Sequence, residues 1–263
     1  MHWVQETKND QTEVTTPAPF HPFFSSPSSI FLVLCINREN MSITHKISID
    51  GREVKTTVIS TATELDGCLK DFLSAITQKP SNVKSVVGLG IETSFGGSHN
   101  EAGSKVTERV AILKLCHYTT CLIIQLHLVS SAPCSLLGFF QRPELSFVGV
   151  GIRDSFKALE KEYGIKCRNA VDLGQLAATT EKNDLLRVYG LLDLTDKICD
   201  FAHHDKDMVD SFNEAALSDW GVTELSKQQI EAAAWTCFLC FCIGNQLFGG
   251  YLPGNSFSRF FNK

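Results

Sequence analysis

The chain lacks an excess of basic charge. Its 263 residues carry 24 Lys and Arg against 29 Asp and Glu, which gives a formal net charge of −5 at pH 7. A protein that binds nucleic acid through its overall charge needs the opposite balance, because phosphates are neutralised by clustered Lys and Arg. Any contact with a polyanion must therefore come from a local basic patch.

A long apolar run near the start and a disulfide-type cysteine pattern are also missing. Residues 30–36 form the longest apolar run near the start, and a membrane-spanning helix needs roughly 20 residues. Residues 1–10 include Glu, Lys and Asp and lack the apolar segment that a secretory signal peptide contains. The 10 cysteines lie mostly inside apolar runs, as small buried hydrophobic residues do. We therefore expect a protein of the cytoplasm or nucleus with no membrane partner.

The composition divides the chain into three regions. Residues 1–40 are rich in Pro, Ser and Thr and have no helical or strand period, which predicts a disordered extension. Regular patterning begins at Met41, and the sequence leaves open whether residues 1–40 are translated with the rest. Residues 41–250 have the pattern of one folded domain, and residues 251–263 are expected to form a short C-terminal tail.

The order of elements in residues 41–250 predicts an α/β fold. Asp50 and Gly51 lie between two alternating stretches and predict a β-hairpin, and Thr61 with Glu64 predicts a capping box at the start of the next helix. Apolar runs separated by turns then predict an antiparallel meander, and strand–helix–strand units after it imply parallel strands. This order is typical of a ribonuclease H-like mixed sheet flanked by helices. The predicted elements are strands at 85–91, 106–115, 121–126, 146–152 and 169–173 and helices at 134–140 and 155–163.

Three segments, in order, resemble the motifs of a nuclease family. They read VKSVVGLGIETSF at 83–95, FVGVGIRDSFKALEKEYG at 147–164 followed by CRNAVDLGQLA at 167–177, and LSKQQIEAAAWTCFLCFCIG at 225–244. They are similar to the three exonuclease motifs of the Werner syndrome type of 3′–5′ exonuclease domain, in its plant form. The resemblance extends over about 41–248 and implies the ribonuclease H-like fold.

The resemblance also implies a chemistry, from which this sequence departs. The family resembles other DEDD exonucleases, in which four carboxylates from three motifs hold two divalent metals and a tyrosine orients the attacking water. Here Gly90 stands at the first aspartate position, Ser155 at that of the second motif, Ala232 at the tyrosine position and Thr236 at the last aspartate position. Glu92 is the one carboxylate in register, and it is the metal ligand that the resemblance implies, if there is one.

These substitutions predict a degenerate exonuclease. Two divalent metals bring about four positive charges, and losing one group of a catalytic unit commonly costs ~10³–10⁶ in rate. We expect a chain that binds nucleic acid or a protein partner without cutting it and that needs no cofactor. One open alternative is a weak 3′–5′ exonuclease that uses Glu92, Asp154 and Asp172 with Mg²⁺ or Mn²⁺. Another is a structural paralogue that pairs with an active relative.

The second motif holds further candidate residues. Asp154 precedes the motif position by one residue and, in an intact helix, points about 100° away from it. Its simpler interpretation is an acid in the first turn of the helix. Arg153 and Lys157 are the candidate nucleic-acid contacts, and a mixed-charge solvated helix is the alternative. Asp172 ends the strand AVDL and is interpreted as structural.

Two other groups look like metal motifs. His203 and His204 are adjacent and have no partner at a zinc-like spacing, which favours a solvated loop or an exposed helix face. Cys237 and Cys240 form a C-x-x-C inside an apolar run without a second pair, which favours core packing.

Overall fold

The computed structural model describes residues 42–77, 85–96, 107–129, 132–199 and 206–250. The predicted extension at 1–40 and tail at 251–263 lie outside the described residues, and so do His203 and His204. The described residues fall within the predicted domain of 41–250.

A mixed sheet organises the described chain, with the strand order β1-β2-β5-β4-β3-β6-β7. The β1–β2, β3–β4 and β4–β5 pairs are antiparallel, and the β2–β5, β3–β6 and β6–β7 pairs are parallel. The predicted antiparallel meander and the later parallel strands are therefore confirmed. The strands are β1 (Ile43–Ile49), β2 (Arg52–Ile59), β3 (Ser85–Gly96), β4 (Thr107–His117), β5 (Thr120–Gln125), β6 (Leu145–Gly149) and β7 (Ala170–Asp172).

The two local signals at the start of the domain act as predicted. Asp50 and Gly51 have φ values of 48° and 72°, the positive values that a two-residue hairpin turn needs. The backbone N–H of Thr61 donates to the Glu64 carboxylate, and the backbone N–H of Glu64 donates to the Thr61 hydroxyl. This reciprocal pair is the predicted capping box.

Helices cover both faces of the sheet. They are α1 (Ala62–Thr77), α2 (Cys134–Phe140), α3 (Ile152–Tyr163), α4 (Leu173–Thr180), α5 (Leu191–Ile198), α6 (Lys206–Ala216) and α7 (Lys227–Leu247). Buried residues of α1, α2 and α3 pack with one set of strand residues, and those of α7 pack with the alternate set. The alternation arises because successive side chains of a strand point to opposite faces.

The predicted boundary between β6 and α3 was wrong. Ile152 was expected in a strand and Ser155 at the start of a helix, but the strand ends at Gly149 and the helix begins at Ile152. Gly151 has a φ of 64°, and its carbonyl accepts hydrogen bonds from the backbone N–H groups of Asp154 and Ser155. This turn starts the helix early, and Ile152 is buried beneath it.

Helix α7 is the central helix of the core. Its 21 residues make it long and apolar enough to cross a membrane, and no other helix in the described ranges meets that criterion. However, 78% of its apolar window is buried inside the fold, as in the core helix of a folded domain. Ser226 and Gln229 form a capping box at its start.

A glycine in β3 sets the distance between the sheet and α7. A Cβ atom at Gly88 would lie 2.4 Å from the carbonyl oxygen of Cys237 and 2.6 Å from the backbone nitrogen of Phe241. The Cys237 thiol donates to the Gly88 carbonyl oxygen at 3.2 Å. The backbones of β3 and α7 therefore approach as closely as only glycine allows.

We predict that Gly88→Ala lowers the free energy of unfolding by about 3 kcal/mol, because the methyl group would collide with backbone that cannot rotate away. Urea denaturation measures the change. Gly67→Ala is the matched control: Gly67 is exposed in α1 with nothing within 4 Å of the added Cβ. The control is expected to raise stability by up to about 1 kcal/mol, since alanine is the better helix former. Equal effects of the two substitutions would contradict the close approach.

Candidate functional site

Strand β3 and helix α7 bring the first and third motifs together. Gly90 and Glu92 are two residues apart on β3, and Thr236 precedes Cys237, whose carbonyl oxygen lies beside Gly88. Ala232 is one turn before Thr236, and its carbonyl oxygen accepts a hydrogen bond from the Thr236 hydroxyl at 2.9 Å. The first-motif and third-motif positions that were expected to carry metal ligands and a tyrosine thus lie close together. Neutral residues occupy all of these positions except the one that holds Glu92.

A lysine that belongs to none of the motifs lies between these positions. Lys114 is in β4, directly opposite Gly90 in the ladder. Its Nζ donates to Glu92 Oε1 at 2.5 Å and to Thr236 Oγ1 at 2.9 Å. The Lys114 side chain is 5% exposed and that of Glu92 is 25% exposed. One ammonium therefore joins the surviving carboxylate of the first motif to the last position of the third.

The lysine is charged in this setting. Burial lowers the pKa of Lys114, but attraction to the Glu92 carboxylate and the hydrogen bond with it raise the pKa, and the net shift is upward from the ordinary value. A buried charge is tolerated only when it is paired and hydrogen-bonded. Glu92 provides both.

Gly90 leaves the room that the lysine uses. A Cβ atom at Gly90 would lie 2.9 Å from Lys114 Cε and 3.4 Å from Lys114 Nζ. Any side chain at position 90 would therefore press on the aliphatic end of Lys114. Glycine at the first motif position and lysine in β4 are complementary in shape.

The second motif contributes the other wall of a cleft. A cavity of about 520 Å³ is lined by Glu92 and Ser155, with Asp154 and Lys161 from the same helix as Ser155. The Ser155 hydroxyl is 3.5 Å from the Gly151 carbonyl oxygen of its own helix start. The first and second motifs therefore border one cavity, and the third motif is joined to it through the contact of Lys114 with Glu92 and Thr236.

Asp154 lies in the first turn of α3, as its simpler interpretation predicted. Its side chain is 82% exposed and accepts a hydrogen bond from Lys157 Nζ at 2.7 Å. This bond, with the charge of Lys157, holds the pKa of Asp154 below its ordinary value. Asp154, a candidate catalytic acid, and Lys157, a candidate nucleic-acid contact, thus form one exposed ion pair with each other.

Asp172 has a structural role, as predicted. Its Oδ1 accepts a hydrogen bond from the backbone N–H of Gln175 and caps α4, and its Oδ2 accepts one from the backbone N–H of Gly151 at 2.9 Å. Both carboxylate oxygens are therefore used in holding β7 and α4 to the start of α3.

A second cavity adjoins the first one. It has a volume of about 460 Å³ and is lined by Arg153, Arg187 and Tyr189. Gly151 and Asp154 border both cavities, so the start of α3 separates them. Arg153, one of the predicted nucleic-acid contacts, is exposed on this side of the helix.

The donor set of the cleft does not fit a two-metal centre. Mg²⁺ and Mn²⁺ bind through several carboxylate and other hard oxygen ligands. Here the carboxylate in register, Glu92, is bound to an ammonium, and the Thr236 hydroxyl gives its hydrogen to a helix carbonyl. Within the part of the chain that the structure describes, no group of three or more His, Cys, Asp or Glu side chains could hold a metal ion.

The cysteines of α7 pack in the core, as predicted. Cys237 and Cys240 are 0% and 5% exposed, and all cysteines in the described ranges are free thiols. Burial raises the pKa of Cys240 to about 12 and that of Cys116, a buried neighbour in β4, to about 11. Thiols with such values are protonated at neutral pH, so they are poor nucleophiles and poor metal ligands.

Lys114 was missed because it stands in the apolar run VAILKLC and belongs to no motif. The alternation of side chains along the strand could have predicted its position. Lys114 alternates with Ile112 and Cys116, which are buried, so the lysine had to point into the core with them. A charged residue at a core-facing strand position requires a counter-charge nearby.

Known proteins share this fold. No protein-family model matches the chain. The protein RISC-interacting clearing 3′-5′ exoribonuclease 1 of Arabidopsis thaliana is 30% identical over 112 residues, which are 43% of this chain and 52% of that protein. The chain thus spans about half the length of this curated relative.

Two solved structures are similar over most of the chain. Escherichia coli RNase D, an exoribonuclease involved in structured RNA processing, has a TM-score of 0.55 and 14% identity, over 73% of this chain and 44% of that one. A mutant of the catalytic core of RRP6 from Trypanosoma brucei has a TM-score of 0.53 and 16% identity, over 73% of this chain and 46% of that one. The chain therefore has the ribonuclease H-like fold of 3′–5′ exonuclease domains.

We predict that Lys114 and Glu92 are energetically coupled. Lys114→Met leaves a partly buried carboxylate without its partner, and Glu92→Gln leaves a buried ammonium without its counter-charge. Each is expected to lower the free energy of unfolding by about 2 kcal/mol, below the value for a fully buried pair because Glu92 is partly exposed.

A double-mutant cycle in urea measures the coupling. The variant carrying both substitutions is expected to lose clearly less than the sum of the two single losses, because no unpaired charge remains. Strictly additive losses would contradict the ion pair.

Proposed function

We propose that this chain is a non-hydrolysing 3′–5′ exonuclease domain that binds the 3′ end of single-stranded RNA in its cleft. The observation that carries the proposal is the identity of the converging residues. The cleft keeps its walls from the first and second motifs, but Ser155 stands at one carboxylate position and Thr236, in the adjoining third motif, at another. The Glu92 carboxylate is bound to Lys114. The proposal includes that the chain is a degenerate member of the Werner type of 3′–5′ exonuclease domain, in its plant form, which its motifs resemble.

The chemistry of phosphodiester hydrolysis supports the loss of activity. In the family's mechanism two metals stabilise the attacking and the leaving oxygens. A donor set of one neutralised carboxylate and two hydroxyls does not provide for them, and losses within one catalytic unit do not compensate each other. Ala232 in the tyrosine position removes the side chain that orients the water. The open alternative, a weak metal-dependent exonuclease, is tested directly below.

The surroundings of the cleft support a nucleic-acid ligand. Arg153, Lys157 and Lys161 are exposed on α3, which borders both cavities. Arginine can hold a phosphate through two parallel hydrogen bonds. Tyr189 in the second cavity offers a ring on which a base can stack. A single strand with its end in the first cavity would then pass over the start of α3 into the second.

RNA is the preferred ligand because the curated relative is named as an exoribonuclease. That relative is also named as interacting with RISC, so a protein partner is the second candidate. The protein partner proposed in this second candidate includes an active relative with the same fold. We place the chain in the cytoplasm or nucleus, where either ligand occurs.

We predict that the purified chain does not shorten a single-stranded RNA. A time course with a 5′-labelled oligonucleotide in Mn²⁺ or Mg²⁺ is expected to match a sample without protein, with E. coli RNase D as the positive control. Glu92→Ala is run beside it, with folding of both proteins verified by circular dichroism. Stepwise shortening by the wild type and not by Glu92→Ala would establish the weak exonuclease instead.

We also predict that Lys157→Ala weakens RNA binding by about fivefold, the equivalent of about 1 kcal/mol for one lost phosphate contact. Lys46→Ala is the matched control: Lys46 is also an exposed lysine in an ion pair, with Glu53 at 2.9 Å, but it lies on β1 at the opposite edge of the sheet from β7. Fluorescence anisotropy of the labelled RNA measures both. Equal losses would show non-specific attraction, and no binding by the wild type would favour the protein partner.

A further inference from the structure

The Lys114 ammonium occupies the space between the first and third motif positions. It contacts Glu92 and Thr236 through hydrogen bonds, and its aliphatic end fills the room over Gly90. These are the positions at which the resemblance places carboxylates around divalent cations. A buried positive charge is thus bound to Glu92, which lines the first cavity, and this charge is part of the chain.

Three of the four carboxylates that line the first cavity have a cation beside them without any added ion. Glu92 is paired with Lys114, and Asp154 is paired with Lys157. Glu162, which also lines the first cavity, lies 3.8 Å from Arg109 and accepts hydrogen bonds from the backbone N–H of Val110. Glu108, at the same cavity, accepts a hydrogen bond from the Thr93 hydroxyl. The charged carboxylates that would repel a phosphate are therefore largely offset by neighbouring cations.

We propose that Lys114 is a built-in replacement for the divalent cations of the exonuclease fold, and that the cleft therefore binds the terminal phosphodiester of RNA without any divalent cation. This inference rests on the proposed function and specifies its ligand requirement. In a site made of bare carboxylates, a metal must neutralise them before a phosphate can approach. Here the lysine neutralises Glu92 permanently, and no free cation has to be recruited.

The replacement is linked to the glycine at position 90. An aspartate there would clash with the end of Lys114 and would add a second carboxylate to one ammonium. In its present position the end of Lys114 thus occupies the room that a side chain at position 90 would use. An ammonium also has only hydrogen-bond donors and cannot activate a water as a metal ion does. The side chain that supports binding therefore does not itself supply the hydrolytic step.

The test compares RNA binding in EDTA with binding in Mn²⁺ at matched ionic strength, by fluorescence anisotropy of a labelled single-stranded RNA. The wild type is expected to bind equally in both. Lys114→Met is expected to bind about tenfold more weakly in EDTA, because Glu92 then repels the phosphate, and to recover part of this loss in Mn²⁺. Lys46→Met is the control and is expected to behave as the wild type.

The outcomes separate this inference from the proposed function. Wild-type binding that appears only with Mn²⁺ overturns the inference and leaves RNA binding standing. An absence of binding in both buffers overturns the proposed function itself. Calorimetric titration of the wild type with Mn²⁺ gives a readout that needs no Lys114 variant. No heat of binding supports the replacement, and a heat that Glu92→Gln abolishes overturns it.

Discussion

The close packing of α7 on the glycine-bearing face of β3 positions the residues of the cleft. Gly88 lets the α7 backbone approach the strand, and Gly244 in the helix makes a similar approach to Val148 of β6, whose Cγ2 would lie 2.6 Å from an added Cβ. With both contacts fixed, Thr236 faces the same strand surface as Glu92. Lys114, pointing to this face from β4, then has a carboxylate and a hydroxyl within reach.

The chemistry of the cleft follows from this geometry. A divalent cation exchanges with solvent and offers empty coordination positions, whereas an ammonium is tethered, carries one charge and offers only N–H groups. Under the proposal above, the lysine between the first and third motifs provides a different kind of positive charge. The fold is compatible with either, because the walls of the cleft are set by the packing of β3, β4 and α3.

Local signals in the sequence predicted much of the fold. The hairpin at Asp50 and Gly51, the capping box at Thr61 and the meander depend on neighbouring residues, and they were correct. The start of α3 was placed late, because the positive φ of Gly151 is not evident from a repeat of glycine and valine. Lys114 was missed because its partners, Glu92 and Thr236, are 22 and 122 residues away in sequence. The motif positions could be assigned from the sequence. The side chain that lies between them, Lys114, could not, because its position depends on long-range packing.

The position of α7 late in the chain has a consequence for biosynthesis. The helix covers one face of a sheet whose strands, in the described part of the chain, all precede it. It reaches β3 across 149 residues, from Cys237 to Gly88. While the ribosome is still adding α7, the emerging sheet therefore exposes apolar residues such as Ile112 and Ile123 that later become buried. Contacts of such sequence separation form slowly, and exposed strand surface invites aggregation in the meantime. The nascent chain is thus expected to depend on chaperones until α7 has been released.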